Sequence, residues 1–491
     1  MTPITAAELA QIVDGELISG DPGVQIRGLS IDSRAISEGD VFVAFDGAKV
    51  DGHQFVIPSL SKGASAALVT HDLSEVQVDI SNAGHSDLSL SESATAVGTA
   101  NLSMNGKALI RVQNSLDAVQ RLAMYERSRF SGPVIGVTGS NGKTTTKDML
   151  KTVFSTGGPC LATAGNLNTE LGLPLTLLRR QGTETSIVLE MGMRGLGQIA
   201  ELCRIGQPTV GIITNIGQSH LELLGSQERI AQAKGELLEA LPSDGIAALT
   251  AGDPWLERIY TRCKGRVLWY GLSEQADAFA ADLEPTSTGT RFHATVLGKS
   301  TVVELPTPGR HNVVNALGAL LLGAVHDLSL DAMADALRNL PASVGRLRIF
   351  QGRDGRSVID DCYNASPLSM KASLSVLMEQ MEQAKGATSV AILGDMFELG
   401  DYEEAGHREV GRFCAEIGVT RLITVGERAK WIAKEAVAAG HPQVRHFATK
   451  QELLSELEGE GVVPTEATVL VKASRGMALE DIVAALEGQE P

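Results

Sequence analysis

A glycine-rich segment between an apolar run and a helical stretch constrains the fold of this chain more than any other feature. The apolar run spans residues 133–137, and the helical pattern extends over 145–154. The segment itself reads Thr138, Gly139, Ser140, Asn141, Gly142, Lys143, Thr144 and Thr145. Glycines let backbone N–H groups face an anion, and the helix N-terminus adds a favourable dipole. Strand, glycine loop, Lys-Thr and helix in this order predict a phosphate-binding loop in an α/β sheet.

Two side chains of the loop suit a nucleotide. Lys143 can reach the terminal phosphates, and the Thr144 hydroxyl can ligate magnesium. The common form of the loop has a glycine where this chain has Val137, so the loop departs from the standard pattern. A glycine turn that binds nothing is the alternative. A Gly-Lys-Thr-Thr sequence directly after a buried strand favours phosphate binding.

Composition limits the class of protein. The 491 residues suffice for about three domains, and no apolar run approaches the roughly 18 residues of a membrane span. The N-terminus lacks a signal-peptide pattern. The five cysteines form no Cys-x-x-Cys pair, which favours reduced thiols in a cytoplasm over a zinc site. A net charge of −17 repels nucleic acid. We therefore expect a cytoplasmic protein without a membrane span and without a nucleic-acid partner.

The chain organises into three α/β regions. Short apolar runs and Gly/Asp turns begin it, and residues 77–108, rich in Ser, Asn, Ala, Thr and Asp, predict a flexible insertion. Continuous apolar runs then alternate with helical segments, which predicts parallel sheets covered on both faces. The last third repeats this pattern as a second doubly wound domain, with residues 346–355 as the connection. The predicted domains are 1–113, 114–340 and 341–491.

Polar residues at the ends of two apolar runs are candidate metal ligands. Glu190 ends one run and His220 follows another, so both point to the carboxyl edge of the sheet, where ligands bind in open α/β folds. A carboxylate near a phosphate loop suits magnesium. The alternatives are a solvated strand-end acid and an ordinary histidine. Lys234 lies in an amphipathic helical pattern, and on local grounds it is a solvated lysine.

Four asparagines are candidate binding groups. Asn166 and Asn168 lie in a loop before a predicted turn at residues 172–174, where they bind anionic oxygens or simply form the turn. Asn312 and Asn315 are three residues apart on a predicted helix and share one face. Their amides suit the edge of adenine, although Asn312 could equally cap the helix.

Together these motifs resemble the Mur ligases, the ATP-dependent amide-forming enzymes of peptidoglycan assembly, over nearly the whole chain. The resemblance implies a UDP-binding N-terminal α/β domain, a central P-loop-type ATPase domain and a Rossmann-like C-terminal domain. It identifies the shortened loop as an ATP signature. Glu190 and His220 match magnesium-site residues, and Lys234 matches a lysine carried as a carbamate that helps to hold a second magnesium ion.

The resemblance also assigns residues around the nucleotide. Asn312 and Asn315 match an adenine-side motif. Arg346 and Asp361 match third-domain positions that meet ATP.

The ends of the chain are similar to particular family members. Ser30, Asp32, Ser33 and Arg34, with residues 51–55, resemble the UDP-sugar-binding domain shared by the third and fourth ligases of the pathway. The third domain lacks the Asp-Asn-Pro-Arg segment of the diaminopimelate-adding member. Residues 393–400 and 471–477 instead look like the member that adds a dipeptide, with Asp395 and Arg475 as candidates for its pocket. Two departures are Ala473, where glycine is expected, and Gln218, where an acid is expected.

The resemblance implies ligation of D-Ala-D-Ala to UDP-MurNAc-tripeptide through an acyl phosphate. ATP and two magnesium ions would be required, and we expect a monomer in the bacterial cytoplasm. One alternative is a sibling ligase that adds diaminopimelate or lysine. Another is a folylpolyglutamate synthase, which the Asp32-Ser33-Arg34 segment disfavours. A nucleotide-binding scaffold without turnover is the non-enzymatic alternative.

Overall fold

The computed structural model describes residues 1–47, 50–71, 73, 106–341, 344–383, 388–457 and 461–488. The chain forms two compact units. The first comprises Met1–Val134, Leu161–Met191 and Glu201–Gln207, and the second comprises Ile135–Cys160, Gly192–Ala200 and Pro208–Pro491. The expected flexible insertion at 77–108 lies outside the described residues except for its last three. The predicted domain boundaries remain predictions.

The N-terminal domain is a small α/β domain, as predicted. Its elements are β1 (Ile4–Thr5), α1 (Ala6–Ile12), β2 (Glu16–Gly20), β3 (Gln25–Ile26), β4 (Gly28–Ser30), β5 (Asp40–Val43), α2 (Val56–Ser61), β6 (Ala66–Val69), β7 (Ala108–Arg111) and α3 (Ser115–Ser128). The sheet order is β2-β7-β6-β5-β4. All neighbours are parallel except β2 and β7. Apolar residues of β5, β6 and α2 form its core, because these strands lie in the middle of the sheet.

The central region contains the predicted loop. Its elements are β8 (Val134–Thr138), α4 (Lys143–Phe154), β9 (Cys160–Ala162), α5 (Gly172–Leu177), β10 (Ser186–Glu190), α6 (Gln198–Gly206), β11 (Val210–Ile213), α7 (Leu221–Leu224), α8 (Gln227–Ala240), β12 (Ile246–Thr250), α9 (Leu256–Ile259), β13 (Arg266–Gly271), β14 (Ala278–Pro285), β15 (Thr290–Val296), β16 (Lys299–Leu305), α10 (Arg310–Val325) and α11 (Leu330–Arg338). In the second unit the strands follow the order β16-β15-β14-β13-β12-β11-β8. Strands β8 and β11 to β14 are parallel, and the apolar runs predicted at β8, β11 and β12 are buried as expected.

Two features of this region differ from expectation. Strands β14, β15 and β16 pair antiparallel with one another, whereas a continued alternation of strands and helices was expected. The exposed residues of β15 alternate with buried ones, which is the pattern of a sheet with one solvated face. Residues 172–174 are not a turn but the first turn of α5. Pro174 is tolerated there because the first turn of a helix needs no N–H donor.

The C-terminal domain is a doubly wound sheet, as predicted. Its elements are β17 (Arg348–Gln351), β18 (Ser357–Asp360), α12 (Pro367–Gln383), β19 (Ser389–Gly394), α13 (Glu403–Glu416), β20 (Arg421–Val425), α14 (Lys430–Ala438), β21 (Val444–Phe447), α15 (Lys450–Leu457), β22 (Thr468–Lys472) and α16 (Glu480–Glu487). The order is β17-β18-β22-β19-β20-β21. Two apolar clusters cover the sheet on its two faces. Residues 346–355, expected as a connection, contain β17, which pairs antiparallel with β18.

This topology positions the phosphate loop. Strand β8 leads into the loop and pairs with β11, with Thr138 opposite Ile213. The residues that follow β11 therefore lie beside the loop at the carboxyl edge of the sheet. No helix in the described parts of the chain is long and apolar enough to cross a membrane.

Candidate active site

The phosphate loop is held by the residues that follow β11. The Ser140 N–H donates to the Asn215 carbonyl oxygen at 3.0 Å, and the Asn141 N–H donates to Asn215 Oδ1 at 3.0 Å. The Thr214 hydroxyl donates to the Asn141 carbonyl oxygen at 2.6 Å. These hydrogen bonds hold the phosphate loop against the segment that follows β11. The N-terminal N–H groups of α4 lack carbonyl partners in their own helix, and together with the helix dipole they suit a phosphate.

Two glycines of the loop are packed closely against neighbouring side chains. Gly142 caps α4 in the left-handed region, with φ of 81°. A Cβ on it would lie 3.0 Å from the amide nitrogen of Asn315. A Cβ on Gly139 would lie 1.9 Å from the Thr214 hydroxyl oxygen. The Gly-rich sequence is therefore required by close packing as well as by backbone conformation.

Two lysines converge on one carbonyl group. The Lys143 ammonium donates to the Gly139 carbonyl oxygen at 2.7 Å. Lys234, which reaches the loop from α8, donates to the same oxygen at 3.0 Å. Lys234 is only 1% exposed, so its interpretation as a solvated lysine is wrong. Burial, followed by the charge of Lys143, lowers the pKa of Lys234 well below its usual value.

His220 belongs to the same electrostatic environment. It precedes α7 in the left-handed region, with φ of 64°, and its Nδ1 atom lies 2.7 Å from Glu398 Oε2. Burial and the nearby charge of Lys143 lower the pKa of His220 to about 4, although Glu398 acts in the opposite direction. The ring is therefore neutral at pH 7, which is the form that can bind a metal.

Glu190 lies in the first unit with one oxygen unsatisfied. It ends β10 and is 2% exposed. Its Oε1 accepts from the Asn168 amide at 2.8 Å, and its backbone N–H donates to the Thr163 hydroxyl at 3.0 Å. Its Oε2 has no hydrogen-bond partner among the described residues. Burying such an oxygen is costly unless a cation or donor meets it, so Glu190 fits a magnesium ligand better than a solvated acid. Asn166 is exposed in the same loop.

The asparagine pair of α10 is buried at the start of its helix. Asn312 donates to the Pro308 carbonyl oxygen at 2.8 Å, and Asn315 donates to Asn312 Oδ1 at 3.4 Å. The cap residue of this helix is Gly309, so the interpretation of Asn312 as the cap is wrong. Asn315 lies against Gly142, which brings the pair to the phosphate loop.

The third-domain candidates divide into two groups. Asp361 accepts from the Lys472 ammonium and from the Ser373 hydroxyl, both at 2.6 Å. The Arg346 guanidinium lies 4.1 Å from the centre of the Tyr363 ring, and that of Arg475 lies 5.6 Å from the same centre.

Asp395 is buried in the same domain, and burial raises its pKa. Its carboxylate accepts from the backbone N–H groups of Arg428 and Ala429, at 3.0 and 2.7 Å, and so holds the segment before α14.

Sequence reasoning missed several residues here. The Ser366 hydroxyl donates to Asn141 Oδ1 at 3.1 Å, and so binds the third domain to the phosphate loop. Tyr363 and Lys472 organise the third-domain candidates described above. Glu398 lies within the segment 393–400 that pointed to the dipeptide-adding member, but no local pattern paired it with His220.

The N-terminal candidates form a compact turn after β4. Arg34 contacts Asp32 through two nitrogens, at 2.9 and 2.8 Å. This pairing lowers the pKa of Asp32 to about 2. The Ser30 hydroxyl donates to the Asp32 carbonyl oxygen at 3.0 Å, and Lys62 donates to the Ser33 carbonyl oxygen at 3.1 Å.

The N-terminal domain also contains a second group of ligand-type side chains. One ligand atom from each of Asp46, Asp51, His53 and His71 lies within 4.8 Å of the others. His53 accepts the Thr70 backbone N–H through Nε2 at 3.0 Å, so its Nδ1 carries the proton that faces Asp51 at 2.6 Å. His53 is therefore satisfied as a hydrogen-bonding residue of the core.

The fold and the phosphate loop are those of a nucleotide-binding protein of three α/β domains. Family models match three successive parts of the chain: the Mur ligase family catalytic domain at residues 25–125, the Mur ligase middle domain at 137–323, and the Mur ligase glutamate ligase domain at 345–475. The chain belongs to the Mur ligase family.

Particular relatives carry a more specific name. UDP-N-acetylmuramoyl-tripeptide–D-alanyl-D-alanine ligase of Bacillus subtilis is 34% identical, covering 98% of this chain and 97% of the relative. The Escherichia coli ligase of the same name is 33% identical over 99% of both chains. MurF from Acinetobacter baumannii has a similar structure, with a TM-score of 0.83, 30% identity and full coverage of both chains. MurF from Thermotoga maritima in complex with ADP has a TM-score of 0.77 at 28% identity, covering 94% of this chain and 97% of that one.

Proposed function

We propose that this chain joins D-Ala-D-Ala to UDP-MurNAc-tripeptide at the expense of ATP. The products are UDP-MurNAc-pentapeptide, ADP and phosphate. The observation that carries the proposal is full-length similarity to ligases of this name in a chain that keeps the phosphate loop and its two lysines. We further propose that it acts as a monomer in the bacterial cytoplasm.

The reaction needs an activated acyl group, because a free carboxylate has no adequate leaving group. A carboxylate oxygen of the tripeptide attacks the γ-phosphorus of ATP, and ADP leaves with the electron pair of the broken P–O bond. The amine of D-Ala-D-Ala then attacks the acyl phosphate through a tetrahedral intermediate, loses a proton, and displaces phosphate. The N-terminus of α4 and Lys143 stabilise negative charge on the transferring group, since preorganised donors act most strongly where charge develops.

Four residues are proposed as magnesium ligands: Thr144, His220 and Lys234 in the second unit, and Glu190 in the first. The neutral His220 ring and the unsatisfied oxygen of Glu190 suit a hard cation. A neutral Lys234 amine can react with CO₂ to give a carbamate anion, which the charge of Lys143 stabilises. Two bound magnesium ions would offset the charge of the phosphates and of the acyl phosphate.

The remaining candidates are proposed to position substrates. Those for ATP are Thr138, Gly139, Ser140, Asn141, Gly142, Lys143, Thr144, Thr145, Asn312, Asn315, Arg346 and Asp361. Those for UDP-MurNAc-tripeptide are Ser30, Asp32, Ser33, Arg34, Asn166 and Asn168, and those for the dipeptide are Asp395 and Arg475. Arg475 is largely exposed and pairs with Glu480 at the surface. A carboxylate is its expected partner because guanidinium pairs with it through two parallel bonds.

Phosphate release with purified substrates tests the proposal. With ATP and UDP-MurNAc-tripeptide, we expect release only when D-Ala-D-Ala is added. Diaminopimelate, lysine and single D-alanine should each leave the rate at background. Release with diaminopimelate or lysine but not with the dipeptide would show a sibling ligase instead. Release that needs neither co-substrate would contradict a ligase.

A further inference from the structure

Glu398, in the third domain, lies against His220, in the central domain, and both residues have an uncommon backbone conformation. Its Oε2 lies 2.7 Å from His220 Nδ1. Both residues have left-handed backbone conformations, with φ of 62° at Glu398 and 64° at His220. Residues other than glycine adopt the left-handed conformation at a cost in free energy, and they keep it only where the surrounding structure holds them there. Two such residues in contact indicate that specific packing holds the two segments together at this point.

The segment around Glu398 is attached closely to α7. The Glu222 backbone N–H donates to the Glu398 carbonyl oxygen at 3.4 Å. A Cβ on Gly400 would lie 2.8 Å from the Cα atom of Glu222, so only glycine allows this approach. Glu398 Oε1 also lies 3.7 Å from an Arg194 nitrogen. The carboxylate is therefore held between a guanidinium and the His220 ring.

The contact between Glu398 and His220 favours one tautomer of the imidazole. His220 Nδ1 is buried without a well-aligned hydrogen bond among the described residues, and Glu398 Oε2 at 2.7 Å is an acceptor within reach of it. A carboxylate oxygen accepts hydrogen bonds, so this contact favours the ring form with its proton on Nδ1. The lone pair is then on Nε2. Histidines that ligate metals commonly donate their other N–H to a carboxylate, which fixes the tautomer and makes the ring a better ligand.

We propose that Glu398 is a positioning residue that orients His220 for cation binding, so that attachment of residues 396–400 completes the metal site. This inference rests on the proposed function only through its metal site. It makes the third domain a contributor to metal affinity as well as to substrate binding.

Manganese binding by the full-length protein with ADP tests the inference, with free Mn²⁺ measured by electron paramagnetic resonance. Glu398→Ala should weaken Mn²⁺ binding by about 10- to 100-fold, as loss of such a partner does elsewhere. Glu398→Gln should recover most of the affinity, because its amide oxygen still accepts Nδ1–H. Glu427→Ala is the matched control: it removes an exposed third-domain glutamate whose partner is Lys430, and it should bind like the wild type.

Thermal unfolding of each variant shows whether it is folded. If Glu398→Ala does not fold, the Mn²⁺ affinity of Glu398→Gln still tests the inference. The inference is overturned if folded Glu398→Ala binds Mn²⁺ within twofold of the wild type, or if folded Glu398→Gln loses affinity by tenfold or more. The inference is also overturned if the wild-type protein forms the peptide product but binds no Mn²⁺. Failure of the proposed function is a separate result: a wild type that binds Mn²⁺, loses it in Glu398→Ala, and makes no peptide product.

Discussion

Replacing Lys234 with methionine should raise stability while it removes activity. Lys143 and Lys234 donate to one carbonyl oxygen, at 2.7 and 3.0 Å, so their nitrogens are at most about 6 Å apart. At an effective dielectric constant of about 20, a second ammonium charge at ~6 Å would be disfavoured by about 3 kcal/mol. Burial and this charge make Lys234 give up its proton on folding, and at pH 7 the proton release costs free energy of similar size. Methionine has a similar shape and avoids that cost, but it also loses a hydrogen bond worth about 1 kcal/mol. The free energy of unfolding should therefore rise by about 2 kcal/mol.

The pH dependence of the same variant provides an independent check. The folded-state pKa of Lys234 is lowered well below its unfolded value, so between these two pKa values the unfolded chain binds more protons. Wild-type stability should increase with pH across this window. The advantage of Lys234→Met should therefore shrink as the pH approaches about 10, the usual lysine pKa.

Denaturant unfolding at pH 7 and near pH 10 measures these effects, in CO₂-free buffer so that no carbamate forms. Ligation should fall by at least about 100-fold in Lys234→Met, because a metal ligand is lost. Lys234→Ala should be nearly inactive as well, and added bicarbonate or acetate should restore part of its activity. Lys430→Met, which changes an exposed lysine paired with Glu427, is the control and should leave ligation unchanged. A Lys234→Met variant that is fully active, or less stable at pH 7, would refute the reasoning.

Four further predictions concern single residues. Lys143→Ala should abolish product formation with the thermal unfolding transition preserved, and a normal ligation rate would contradict its role. Gly142→Ala should cost about 1–2 kcal/mol for the left-handed backbone and raise the KM for ATP, because its methyl group meets the Asn315 amide. Glu190→Gln should raise the magnesium concentration for half-maximal ligation at least about tenfold, and an unchanged midpoint would argue against a metal ligand. His220 takes up a proton on unfolding between about pH 6.5 and 4, so wild-type stability should fall as pH falls through this range. His220→Gln should lose less stability between pH 7 and 5 in thermal unfolding.

The parts of the fold that follow from local pattern were predictable. The apolar runs at 186–190 and 421–425 coincide with β10 and β20, because a fully buried strand needs a continuous apolar sequence. The antiparallel strands β14 to β16 were missed because their alternating residues form only one buried face. Their pairing also depends on neighbours that a local pattern does not contain.

The site was predictable to the extent that its groups follow strands. Glu190 and His220 became candidates because each follows an apolar strand, and ligands bind at the carboxyl ends of such strands in open α/β folds. The burial of Lys234 was not predictable from its amphipathic helix, since periodicity identifies a face but not what packs against it. The contact between His220 and Glu398 joins residues from different domains, and no spacing rule links them.

The path of the carboxylate oxygen tests the central claim most directly. UDP-MurNAc-tripeptide labelled with oxygen-18 in its terminal carboxylate should be ligated to D-Ala-D-Ala, and the released phosphate analysed by mass spectrometry. If the carboxylate attacks the γ-phosphorus, one labelled oxygen should appear in each phosphate. Phosphate that carries no label while the amide product accumulates would contradict an acyl phosphate intermediate.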